Sequence, residues 1–236
     1  MLILAFDSTA KTASVALTEN EKLLADFVYD NGLTQSELLL PMAEEALKKV
    51  GRSFSDVDLF ACNVGPGSFT GVRIGVALIK GLAFNKNTPC VPVSTLESLA
   101  EGLMPLENGI LCPCMDARKG QVYNALFVSS GDGLTRLTED RAISLSDLAT
   151  ELSTLYKEKP IRLAGDGYDI AYKALSDAGL QILPTPELLK RQNAYTTARI
   201  AYRLACNGNT VSPATLSPLY LRMPQAESDR LKAKEK

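Results

Sequence analysis

The chain of 236 residues contains no histidine and no tryptophan. The first absence excludes most. Without an imidazole there is no Ser-His-Asp or Cys-His catalysis, no histidine general base and no histidine-ligated metal centre. Any chemistry must come from carboxylates, lysine, tyrosine or the backbone. A strong excess of one charge is missing too: the formal net charge is -2 and 46% of residues are hydrophobic. That balance fits neither a disordered chain nor a strongly basic nucleic-acid binder. Cysteines are few and odd in number, at positions 62, 90, 112, 114 and 206, so reduced thiols serving as small apolar side chains are expected. Cys112-Pro-Cys114 points two thiols to one face of a strand, yet the usual zinc spacings are absent, and no metal site is assigned. The apolar run Leu2 to Phe6 has no basic segment before it and is too short for export or membrane spanning. The expectation is a cytoplasmic protein with no membrane contact.

Of what is present, the stretch Gly65 to Ala83, GPGSFTGVRIGVALIKGLA, carries most information. Its glycine- and hydroxyl-rich start suits a sharp strand-to-helix turn, with Ser68 and Thr70 available to cap the orphan amides of a helix running from about Thr70 to Phe84. Only Arg73 and Lys80 are charged within it, and they share one narrow stripe. A helix packing one face on its own domain needs only about 100° of apolar surface, and this one has far more. Either it is sandwiched within one domain, or one face enters the core and another a subunit interface; Gly71 and Gly75 would let a second backbone approach. A P-loop is excluded because no lysine follows Gly71, and Gly-x-Gly-x-x-Gly fails because the last glycine comes one residue late. Amides at the helix start could hold an anion, as those of any helix could.

The rest of the first half predicts strands Leu2 to Phe6, Ala13 to Thr18 and Lys22 to Tyr29 joined by short polar loops, an opening βββ meander. The loop after the first strand gathers Asp7, Ser8, Thr9, Thr12 and Ser14. These side chains could hold Mg2+ and phosphate, or could simply satisfy the turn's own backbone. Thr34-Gln35-Ser36-Glu37 has the capping-box form and opens a helix to about Val50, with Pro41 inside it and Gly51 as its stop. Leu59 to Val64 and Cys90 to Val93 complete a βββαβα order, which matches half of the duplicated actin, hexokinase and Hsp70 type of α/β fold.

The second half is less regular. It predicts a helix Leu96 to Met104, a hairpin of Ile110 to Met115 with Gln121 to Val128 around the charged turn Asp116 to Gly120, and a helix from Ser144 to about Tyr156. A strand Ile161 to Ala164, a helix to Ala178, a strand near Leu180 to Leu183 and a helix Thr196 to Cys206 follow. Arg118 and Lys119 either meet an anion or face solvent. The predicted organisation is a first lobe over 1–100, a reduced second lobe over 101–223, and a mobile charged tail over 224–236.

Four blocks resemble the bacterial TsaB (YeaZ) family across nearly the whole chain: Ala5-Phe-Asp-Ser-Thr with Ala13-Ser-Val-Ala-Leu, Ser36-Glu-Leu-Leu-Leu-Pro41, Gly65 to Gly75, and Asp116-Ala-Arg-Lys-Gly-Gln-Val-Tyr123. Pro218-Leu-Tyr-Leu-Arg222 adds a weaker match. The resemblance implies an actin-like fold and a role as the non-catalytic subunit in making N6-threonylcarbamoyladenosine (t6A) in tRNA. It also implies a catalytic, histidine-bearing paralogue, TsaD, and an ATPase, TsaE, as partners. ATP or ADP with Mg would then act in the complex, this chain would need no cofactor of its own, and tRNA would be met only through the complex. Family members often carry histidine where this chain has Gln35. The expected interface is one apolar surface made of Leu39, Met42, Ala43, Ala46 and Leu47 with Gly71, Ile74, Gly75, Leu78 and Leu82, docking TsaD or, without it, a second copy as a homodimer. The competing expectation is an autonomous nucleotide-dependent enzyme with Mg-ATP on Asp7, Ser8 and Thr9. A Ser/Lys peptidase ranks last.

Overall fold

The structure is a computed structural model and describes residues 1–106, 109–130 and 133–222. Strands β1 (Leu2–Asp7), β2 (Ala13–Glu19) and β3 (Lys22–Tyr29) form the antiparallel meander, and β4 (Leu59–Gly65) and β5 (Cys90–Ser94) add parallel to β1, giving the sheet order β3-β2-β1-β4-β5. Side chains alternate across a strand, and β1 uses both faces. Leu2, Leu4 and Phe6 join the core under helices α1 (Gln35–Lys49) and α2 (Phe69–Phe84), while Ile3 and Ala5 join the opposite core under α6 (Ala194–Cys206). All six β1 residues are therefore buried. α1 begins with the capping box, Thr34 N donating to Glu37 Oε2 at 2.9 Å, and ends before Gly51 at φ +66°.

The second sheet contains β6 (Ile110–Asp116), β7 (Gln121–Asn124), β8 (Phe127–Ser130), β9 (Gly133–Arg136), β10 (Arg141–Ser144), β11 (Ile161–Ala164) and β12 (Ile182–Leu183), in the order β10-β7-β6-β11-β12 with β8 bridging β6 and β9. Helices α3 (Thr95–Leu103), α4 (Leu145–Leu155) and α5 (Tyr168–Asp177) accompany it. This is the two-lobed actin, hexokinase and Hsp70 type of α/β fold, complete in the first lobe and reduced in the second.

Four sequence expectations change here. Gln121 to Val128 is two strands, not one. β7 pairs with Cys114–Asp116 and β8 with Ile110–Leu111, so the ladder is interrupted opposite Cys112 and Pro113. Proline has no N–H to give to the ladder, and the buried Asn124 amide takes up the Pro113 and Ala125 carbonyls at 3.0 and 3.2 Å. β9 and β10 were not anticipated, and the strand near Leu180 shrinks to Ile182–Leu183. Finally, residues 101–223 do not all serve the second sheet, because α6 lays Ala194, Ala198, Ile200 and Ala201 against the first. The expected tail over 224–236 lies outside the described residues.

α3 joins the two halves. Its Glu101 is fully buried, receives Arg203 Nη1 and Nη2 at 2.9 and 2.7 Å, and has Arg199 Nη1 at 3.1 Å, so one carboxylate fastens α3 to α6. Removing one partner of a buried ion pair leaves the other uncompensated. Arg199 and Arg203 are partly exposed, so Glu101→Gln is expected to lower unfolding free energy by about 1.5–3 kcal/mol, the size of a charged hydrogen bond, read as a fall in the urea midpoint at unchanged m-value.

Candidate functional site

The loop after β1 is where the sequence left two readings open, a hold on Mg2+ and phosphate or a turn that satisfies its own backbone. Asp7, Ser8 and Thr9 are all buried, and their polar atoms are engaged within the chain. Asp7 Oδ1 accepts from Thr9 N at 2.9 Å and Thr9 Oγ1 at 2.8 Å, while Oδ2 accepts from the Asn63 amide, whose own oxygen accepts from Thr197 Oγ1 at 3.0 Å. Ser8 Oγ donates to the Gly71 carbonyl at 2.8 Å, and Ser68 N donates to the Thr9 carbonyl at 2.7 Å.

The start of α2 sits directly on this loop, and its glycines make the contact. A Cβ at Gly71 would lie 1.9 Å from the Ser8 carbonyl oxygen, one at Gly67 2.4 Å from that of Thr9, and one at Gly75 2.6 Å from Ser8 Oγ. The backbone that Gly71 and Gly75 admit is thus the chain's own first loop, not a partner's. Asp7, Ser8 and Thr9 do not fit the role of a Mg-phosphate grip in this arrangement: both carboxylate oxygens already accept hydrogen bonds, and α2 covers the loop.

The same reasoning corrects most of the expected interface. Leu39, Met42, Ala43, Ala46 and Leu47 are buried in the first core with Val72, Val76 and Ile79, and Gly71 and Gly75 are buried against Ser8. Only Ile74, Leu78 and Leu82 keep partial exposure. The charged stripe lies beside the C-terminal segment at the surface: Arg73 Nε donates to Tyr220 Oη at 2.7 Å and Lys80 Nζ to the Ala214 carbonyl at 3.1 Å. α2 is apolar over much of its surface because the first core and the first loop cover it there. What remains is a strip of Ile74, Ala77, Leu78, Gly81 and Leu82 ending at Phe84, which is 82% exposed. The sequence reading missed Phe84, although Ala77, Gly81 and Phe84 follow the i, i+4, i+7 spacing of one helix face.

A cleft of about 560 Å³ opens between the two halves, lined by Lys11, Gln35, Phe69, Tyr123, Tyr220, Arg222 and the turn Asp116–Lys119. Gln35 is occupied at its wall, donating to the Ala10 carbonyl at 2.7 Å. Arg118 lies 3.4 Å from Asp116, and no ion pair engages Lys11 or Lys119 among the described residues. Asp166 accepts from Asp116 N at 2.9 Å, and burial raises its pKa. Among the described residues no group of three or more His, Cys, Asp or Glu side chains could hold a metal. Cys112 and Cys114 have sulfurs 3.8 Å apart in the second core, with the Asn124 amide beside them, and the Cys114 thiol is held well above its ordinary pKa by the Cys112 contact and burial. No helix among the described residues is long and apolar enough to cross a membrane.

Burial pushes the Asp7 carboxyl up to about 6, against the pull of its bonds from Thr9 and Asn63. A carboxyl that holds its proton more tightly when folded stabilises the fold in acid, and that contribution is lost as pH rises from about 4 through about 6. The loss is of order 3 kcal/mol. Asp7→Asn is expected to remove this component, so that the difference in unfolding free energy between variant and parent shifts in favour of the variant as pH is raised from 4 to 7. Identical pH dependence of the unfolding free energy of the two proteins, measured by urea titration between pH 4 and 7, would rule out this assignment. Gly71→Ala is expected to cost several kcal/mol, because its methyl group would overlap a backbone oxygen rather than a movable side chain; thermal unfolding measures it.

Comparison with known proteins gives concordant matches. A family model described as TsaD, tRNA N6-adenosine threonylcarbamoyltransferase, matches residues 34–207. The tRNA threonylcarbamoyladenosine biosynthesis protein TsaB of Escherichia coli K12 is 31% identical over 224 residues, covering 94% of this chain and 95% of that one. TsaB of Bacillus subtilis 168 is 29% identical over 230 residues, covering 97% of each. The solved structure of YeaZ from Pseudomonas aeruginosa superposes with a TM-score of 0.76 at 24% identity, over 93% of this chain and 99% of that one.

Proposed function

The chain belongs to the TsaB family and its role lies in tRNA threonylcarbamoyladenosine biosynthesis, and on that premise we propose that it acts there as a non-catalytic docking subunit for a TsaD-type catalytic partner. The observation that carries this reading is the apolar strip on α2. Ile74, Leu78 and Leu82 pack their inner edges on the first core and present the rest outward beside Ala77, Gly81 and Phe84. A phenylalanine left 82% exposed at the end of such a strip marks a surface made to be covered rather than the exterior of a lone chain.

The interface is therefore narrower than the ten-residue surface expected from the sequence. α1 contributes its buried face to the core beneath α2 and supports the strip from below. A second copy of the chain covers the strip when the catalytic partner is absent, and TsaE joins the complex through the partner. ATP or ADP with Mg belongs to the assembly, and tRNA is met through it. The lack of histidine and the internally engaged Asp7–Thr9 loop support a supporting role over an autonomous nucleotide-dependent enzyme, which would need that loop free.

Leu78→Asp places a carboxylate in the strip and is expected to abolish association by burying an unpaired charge. Because Leu78 is half-buried, Ala77→Asp and Phe84→Asp, at exposed positions, serve as variants that leave the core alone. Size-exclusion chromatography with light scattering should show the parent as a dimer, or as a complex with its TsaD counterpart, and all three variants as monomers with at least about tenfold weaker association, equivalent to about 1.4 kcal/mol. Unchanged assembly in all three would exclude α2 as the docking helix. Loss of t6A formation in a reconstituted reaction on omitting this chain, with no phosphate release from ATP by the isolated chain, separates a docking role from that of an autonomous ATPase.

A further inference from the structure

The segment after α6 runs back across the first lobe and ends on the second. Val211 bridges to Cys90 at the edge of the first sheet, Leu216 is buried in the first core, and Leu219 N donates to the Val64 carbonyl at 2.8 Å. The fit there is close: a Cβ on Gly65 would stand 2.6 Å from the Leu219 carbonyl oxygen. Tyr220 then lies against α2. Its ring meets that of Phe69 at 5.1 Å, its hydroxyl accepts from Arg73, and the Arg73 guanidinium covers the Phe69 ring at 3.8 Å. Two residues on, Arg222 crosses to the β6–β7 turn, donating from Nη1 to the Ala117 carbonyl at 3.2 Å and from Nη2 to Gln121 Oε1, with its guanidinium over the Tyr123 ring.

That turn carries backbone strain. Arg118 and Lys119 both occupy the left-handed region, at φ +65° and +54°, followed by Gly120 at +72°. Two successive non-glycine residues in that region are held only where their surroundings over-determine them. Asp116 Oδ1 supplies part of the constraint by accepting from Arg118 N at 2.7 Å. The turn's own backbone supplies more, Ala117 N donating to the Gln121 carbonyl and Gln121 N to the Arg118 carbonyl, both at 3.1 Å; Arg222 adds a hold from outside the turn, on a carbonyl before the two strained residues and a side chain after them.

We propose that residues 216–222 form a strap that couples α2 to the basic turn at the cleft, so that the state of α2 sets how firmly Arg118 and Lys119 are presented. Arg73 is next to Ile74 in the outward strip, and Leu219 and Tyr220 are each about two-fifths exposed. A partner seated on the strip reaches one end of the strap, and the turn hangs on the other. The coupling acquires a role only if α2 docks a partner, as proposed above; the link itself is present in the single chain.

Amide hydrogen exchange of the full-length protein, followed in peptides spanning 116–123 with a peptide in β2 as control, tests the link without any partner. Arg222→Gln is expected to speed exchange in the turn about tenfold or more by local opening, leaving β2 unchanged. Arg73→Gln is the decisive variant, since Arg73 touches no residue of the turn and should nevertheless loosen it through Tyr220. Faster exchange in the turn for Arg222→Gln alone, or for neither variant, would overturn the proposal. If Arg73→Gln loosens β2 as well, Tyr220→Phe, which deletes only the oxygen that accepts from Arg73, decides by the same comparison. In the parent, association on α2 should slow exchange in 116–123, and Arg222→Gln should associate without that response. Failure to associate at all, read by light scattering on the same samples, counts against the docking reading and leaves the single-chain comparison intact.

Discussion

The seating of α2 on the first loop is the contact from which the rest of the first lobe follows. Helices rarely approach a turn so closely that a methyl group would overlap a backbone oxygen, and here Gly67 and Gly71 both do so, with Gly75 just as close to the Ser8 hydroxyl. Once the helix is that close, Val72, Val76 and Ile79 reach the strands beneath, the hydroxyl of Ser8 is committed to the Gly71 carbonyl, and the carboxylate of Asp7 is sealed among Thr9 and Asn63. The raised pKa of Asp7 is a consequence of this sealing: desolvation opposes the charge more strongly than the local donors favour it.

This contact also shapes what the molecule offers to others. The first loop is closed by the chain's own helix. The same helix that closes it turns a different, narrow face outward. The buried hydroxyls of Ser8 and Thr9 are engaged in hydrogen bonds within the chain. The cleft keeps a basic rim, in Lys11, Arg118 and Lys119, whose geometry is supported from the first lobe by Arg222.

Buried polar links tie the halves together in two further places. Asp7, Asn63 and Thr197 connect the first loop through β4 to α6, and Ser98 on α3 continues from Thr197 at 3.2 Å. Glu101, one turn further along α3, holds Arg199 and Arg203 of α6. α3 and α6 therefore act as one unit against which the second sheet is positioned, which is why a helix late in the chain serves the first lobe.

Much of the fold was legible because its signals are local. The meander, the capping box at Thr34, the glycine turn and the strand-to-helix order follow from periodicity and turn chemistry within short windows, and the split of Gln121 to Val128 could have been suspected from Pro113 in the facing strand. The sequence by itself determined that α2 is apolar on nearly every side, that the chain has no imidazole, and that its blocks resemble one family. Only tertiary structure decided which of those apolar faces meets its own core, its own first loop, its own C-terminal segment or the outside, because a side-chain pattern records that a face avoids water but not what covers it. Leu39 and Leu78 look alike in sequence; one is sealed beneath a helix and the other lies at its edge, a difference set by long-range packing that no local window contains.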